Sequence, residues 1–180
     1  MKIRSSGFTM IETLVVISII GILIGGGMRY SALEYQRESV NALVIPLVAW
    51  LELVQKAALR GTGCTATIGS PSGADGVIAT ATVAVSGTNT TSTNENQCLQ
   101  KQPFSIASSG DTRMLNQDFS ITSTTISFTP RGTVALENGD KKEIVVSLQP
   151  NGPSRCIQVE GLLAFISIRK GVVCGQDTTF

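Results

Sequence analysis

The chain has 180 residues, with 14 Lys+Arg against 13 Asp+Glu, a formal net charge of +1 and no histidine. Charged residues make up 15%, against about 25% in soluble domains, which points to a membrane segment, a neutral low-complexity stretch, or both. Without histidine, Ser-His-Asp and Cys-His catalysis and histidine metal ligation are excluded, while near-neutrality and 5% aromatics disfavour a nucleic-acid surface.

The chain opens MKIRSSGFTMIETLVVISIIGILIGGGM. Two cations, Lys2 and Arg4, precede an apolar run. Phe8 to Met28 is 21 residues, which as a helix spans roughly 30 Å, the thickness of a bilayer's hydrocarbon core. Backbone groups in such a run must be satisfied internally, as a helix. A secretory signal peptide would have a shorter apolar region and a small-residue cleavage site. Gly25-Gly26-Gly27 offers no such site. A plain single-pass anchor is the other simple reading. Glu12 fits neither, because an acid inside an apolar membrane helix is costly and calls for a partner.

These residues resemble the type IV filament family, the type IV pilins and the pseudopilins of type II secretion. The resemblance rests on Gly7, Phe8, Thr9, Met10, Ile11 and Glu12, followed by the apolar Leu14–Ile24 run. It implies a leader, residues 1–7, removed by a membrane prepilin peptidase between Gly7 and Phe8. Phe8 would then be the N-methylated first residue, and Glu12 the fifth. In the family that glutamate neutralises the N-terminal amine of a neighbouring subunit. Removing Lys2 and Arg4 with the leader would change the net charge from +1 to −1.

Beyond the glycines, Leu33, Val40, Val44, Leu47, Leu51, Val54 and Ala58 recur at helical spacing. Charges fill the remaining faces, and Arg60-Gly61 reads as a stop. A long helix over 8–60 is expected, with 8–28 as its transmembrane or filament-core part. Gly25, Gly26 and Gly27 weaken it locally, and Pro46 either bends it or breaks it in two. The Leu33–Ala58 stripe is expected to pack under the chain's own β-sheet.

Residues 61–180 read as a β-rich head. About two-thirds of residues 61–95 are Gly, Ser, Thr or Ala. There GSPSG and TNTTSTNENQ read as loops around one strand, GVIATATVAV. Further strands are expected near Phe119–Thr122, Thr125–Thr129, Glu143–Leu148, Arg155–Glu160 and Leu163–Arg169. A helix followed by strands predicts an α+β fold, with the helix packed against the head. Ile126–Gly132 and the Arg155–Ile168 hairpin are similar to segments of the GspH/FimT minor subunits. Arg155, Arg169, Lys170 and Arg131 form at most a small basic patch, and with Lys141 and Lys142 read more simply as a solvated face. DNA is therefore a disfavoured partner.

The basic leader places the head outside the cytoplasm. There four cysteines suggest two disulfides, with three connectivities open. Cys64–Cys98 would staple the low-complexity stretch, and Cys156–Cys174 would tie down the tail. No closely spaced cysteine pairs suit zinc. No nucleophile–base set stands out, so neither enzyme activity nor a cofactor is expected.

Three readings fit the sequence. The chain is a minor pilin or pseudopilin of an inner-membrane system. Its partners would then be other subunits, the prepilin peptidase, the assembly platform, and membrane lipid before assembly. Alternatively it is a filament-tip module recognising DNA or another ligand, or an uncleaved anchor for a periplasmic β-domain.

Overall fold

The computed structural model describes residues 9–60, 63–83, 98, 102–107, 114, 117–134, 141–161, 163–171 and 174, without the side chains of 26–32 and 83. The TNTTSTNENQ segment, Gly7 and Phe8 lie outside the described residues. The chain divides into two compact units, at Gln36/Arg37.

One helix, α1, runs Met10–Ala58, through all three glycines and through Pro46. The proline therefore does not split it into two helices. It does deprive the Ala42 carbonyl of its usual donor four residues on. The end of α1 is closed by Leu59 N–H donating to the Gln55 carbonyl (3.2 Å) and Arg60 N–H to the Ala57 carbonyl (3.1 Å).

The second unit is α+β. After α1 come β1 (Cys64–Ser72), β2 (Val77–Val83), β3 (Phe104–Ser105), β4 (Phe119–Ile121), β5 (Thr124–Phe128), β6 (Lys142–Leu148), β7 (Ser154–Glu160) and β8 (Phe165–Lys170). They form two four-stranded sheets, ordered β3-β2-β1-β5 and β4-β6-β7-β8. All described pairings within them are antiparallel.

β1 corrects the reading of GSPSG as a loop. Its alternation, with Cys64, Ala66 and Ile68 buried, is carried by small residues and is faint in sequence. Pairing with β5 stops at Ile68↔Thr124, and the β2 register shifts between Ile68 and Ser72. Pro71 thus falls where a ladder hydrogen bond is not required on both sides.

Core side chains come from α1 and both sheets. Val40, Leu43, Val44, Leu47, Trp50, Leu51, Val54, Ala57 and Ala58 are buried on one helix face, at the three- and four-residue steps that keep side chains aligned. Opposite them lie Ile126 and Phe128 of the first sheet, and Ile144, Val146, Ile157 and Val159 of the second. Trp50 Nε1–H is satisfied by the Gln102 carbonyl at 3.0 Å, with the Phe104 ring 6.4 Å away. Leu33 departs from the expected stripe. It is 56% exposed and precedes the boundary at which the head unit begins.

Candidate functional site

In the first unit, Met10–Gly25 presents apolar side chains on every side: Ile11 is 74% exposed and Ile22 76%. A helix apolar all round is stable only in apolar surroundings, lipid or other helices. Its few polar groups are handled locally. Thr13 Oγ1 donates to the Met10 carbonyl (2.9 Å) and Ser18 Oγ to the Leu14 carbonyl (2.8 Å). Hydroxyls bonded this way do not oppose burial.

Glu12 is the acidic residue of the first turn and is exposed. Its backbone N–H donates to the Thr9 carbonyl at 3.1 Å. The N-terminal end of a helix dipole favours a carboxylate there. Glu12 is thus presented from an apolar surface, the placement in which an opposite charge is most strongly attracted. Among the described residues Leu33–Ala58 is the stretch long and apolar enough by composition to cross a membrane, Met10–Gly25 being a shorter apolar one. The apolar face of Leu33–Ala58 from Val40 onward is instead the core of the head.

In the second unit the cysteines pair as Cys64–Cys98 and Cys156–Cys174, with Cα atoms 5.6 and 5.5 Å apart. One holds the start of β1 and the other fastens the tail to β7. The Glu143 carboxylate lies beside the second pair, but sulfurs bonded to each other present no thiolate to a metal. The bridges close loops of 34 and 18 residues. On the chain-entropy account, Cys64→Ser/Cys98→Ser is expected to lose about 4 kcal/mol and Cys156→Ser/Cys174→Ser about 3 kcal/mol. Urea unfolding of each double variant beside the oxidised parent checks this.

The cations read as a solvated face rather than a patch belong to several separate elements. Lys141 Nζ pairs with Glu143 Oε1 at 3.1 Å. Arg131 sits in the turn closed by Gly132 N–H donating to the Thr129 carbonyl. Arg169 pairs with Cys156 in the β7–β8 register, while Lys170 pairs with Arg155, so neighbouring cations point to opposite faces of the sheet. Arg155 Nε donates to Asn41 Oδ1 of α1 at 2.8 Å. Burial, and then the nearby Arg37 charge, hold the Arg155 guanidinium below its usual pKa.

Buried polar groups on this sheet gave no sequence signal. Gln158 is only 4% exposed, its Nε2 donating to Glu160 Oε2 at 3.3 Å. Its Oε1 and the cross-strand neighbour Ser167 Oγ lack hydrogen-bond partners. A cavity of about 470 Å³ lies between the β1–β2 turn and Gln117–Phe119. Of its lining residues only Asp118 carries an ionisable side chain, so it holds no acid–base pair.

Comparison with known families places the prokaryotic N-terminal methylation motif at residues 2–28. No curated protein and no solved structure matches the chain. The motif supports a type IV pilin-like protein of the prepilin-processed kind, a structural rather than enzymatic family. It is consistent with membrane anchoring through the N-terminus, and the head lies outside the matched residues.

Proposed function

We propose that the chain is a minor structural subunit, a minor pilin or minor pseudopilin of the GspH/FimT type, of a type IV pilus or a type II secretion pseudopilus. The observation that carries this is the processing motif leading into a helix that is apolar on every side except for Glu12.

In this reading residues 1–7 are the leader, 8–60 the long helix and 61–180 the head. The precursor sits in the inner membrane, with 8–28 in lipid and the head in the periplasm. Prepilin peptidase cuts between Gly7 and Phe8 and methylates the new Phe8 amine. The assembly platform then moves the subunit into a filament. There the 8–28 segments of neighbouring subunits replace lipid around one another, and Glu12 meets a neighbour's Phe8 ammonium. Gly25, Gly26 and Gly27 lower helix propensity and Pro46 removes one helix hydrogen bond, so bending or local melting during packing is assigned to them. A two-sheet head closed by the β7–β8 hairpin supports the GspH/FimT assignment.

Intact mass and N-terminal sequencing test the reading, on protein from cells with and without the peptidase. The expected product is a 173-residue chain starting at methylated Phe8, seen only with the peptidase. An uncut chain in both strains, or one cut after Gly27, refutes it.

A further inference from the structure

Glu143 of β6, Cys156 of β7 and Cys174 of the tail come from three separate segments, yet one ligand atom from each lies within 4.8 Å of the other two. Both cysteines are buried, while the Glu143 side chain keeps 30% exposure. In the oxidised chain the two sulfurs are bonded to each other. Opening that bond changes what the cluster can do. The Cα atoms are 5.5 Å apart, and free thiols on them can turn about their own side-chain bonds. Ligand atoms held at about 2.0–2.3 Å around a tetrahedral metal stand roughly 3.3–3.8 Å from one another, which a cluster of this span accommodates. A second observation comes from Gln158. It pairs with Glu143 in the β6–β7 register and lies two residues from Cys156, on the same sheet face. It is 4% exposed, and its Oε1 is buried without a hydrogen-bond partner. An unpaired buried acceptor is costly, and water bound to a metal is a donor suited to it.

We propose that the dithiol form of the chain binds one zinc(II) ion through Glu143, Cys156 and Cys174, with water in the fourth position. The chain is synthesised with free thiols, so this form precedes the bridge. From the bridged form, an external dithiol supplies two electrons and two protons and itself becomes a disulfide. Each thiol then releases its proton as its sulfur bonds the ion. Two thiolates disfavour magnesium and calcium, and the carboxylate disfavours copper(I), which leaves zinc as the natural choice. Glu143, part open to solvent, is the way in. Lys141 Nζ, 3.1 Å from Glu143 Oε1, gives way to the ion, because solvent-exposed ion pairs are weak. The metal thus fastens the tail to β6 and β7 in the form that lacks the bridge. The inference is independent of the proposed function, since it uses residues of the head alone.

The test uses the full chain in micelles of uncharged detergent. It is reduced with a dithiol, freed of that reagent without air, and titrated with cobalt(II). Sulfur-to-cobalt charge-transfer absorption is expected to saturate at one cobalt per chain and to bleach when zinc(II) is added. The oxidised chain should show none. Glu143→Gln keeps the size of the side chain and is expected to weaken cobalt binding about tenfold or more. C156S/C174S should abolish the band although Cys64 and Cys98 remain. A band retained by C156S/C174S overturns the proposal, because the other pair would then be the ligand. Should that variant fail to fold by circular dichroism, E143Q decides: unchanged cobalt affinity overturns the proposal. A reduced parent chain without the band, folded or not, overturns it as well.

Discussion

Replacing Glu12 with alanine is expected to leave cleavage after Gly7 intact and to reduce filament incorporation about 100-fold. Glu12 lies on a helix apolar on every side, so in a filament its carboxylate and a neighbour's Phe8 ammonium would be buried together. Removing one partner of a buried pair costs about 3–5 kcal/mol, because the other charge is left uncompensated. Three kcal/mol corresponds to a factor of about 100 in an assembly equilibrium. Single-chain insertion is not impaired, since removing a carboxylate from an apolar helix favours lipid. The measurement compares the mature Glu12→Ala chain in membrane and in sheared filament fractions. Normal incorporation of the processed variant would sink the charge-pairing role. Glu12→Asp keeps the charge and should recover part of the loss.

The second large effect concerns the head. Leu47→Ala is expected to destabilise it by about 2–5 kcal/mol, through lost apolar burial and the cavity left behind. Leu47 is fully buried among residues of both sheets. For a domain of this size that is a fall in Tm of roughly 4–20 °C. Ile45→Ala, two residues away and 59% exposed, should change Tm little. Near-ultraviolet circular dichroism of Trp50, held by Gln102 and near Phe104, follows the unfolding. Equal effects at Leu47 and Ile45 would contradict the buried-face assignment.

Much of the helix was legible from residue spacing alone. Val40, Val44, Leu47, Leu51, Val54 and Ala58 follow the helical period, and all are buried. The reading omitted Leu43, Trp50 and Ala57, which widen the stripe because α1 packs on two sheets instead of one. It included Leu33, which lies outside the head unit. A period states which residues share a face; it does not say how far along the helix that face is covered.

The strands from β4 onward were visible because branched apolar residues alternate there. β1 was hidden because Gly, Ser, Thr and Ala carry its pattern, and β3 because two residues have no period at all. The placement of the cations is a matter of register and of distant contacts. Arg169 and Lys170 are adjacent in sequence, and a strand sends adjacent side chains to opposite faces. Arg155 meets Asn41 across a separation of 114 residues, which no local pattern encodes.

By itself, then, the sequence determined the processing motif, the apolar N-terminal helix with its single acid at Glu12, the helix face and most strand segments. All of these are local, written in the order and spacing of nearby residues. Tertiary structure alone decided which sheet each strand joins, how far the helix is covered, and that β7 is buried on both faces. It also decided that the Arg155 guanidinium of β7 meets Asn41 of α1. Those outcomes depend on strand register and on contacts between distant segments, whose free energies exist only once the chain has folded.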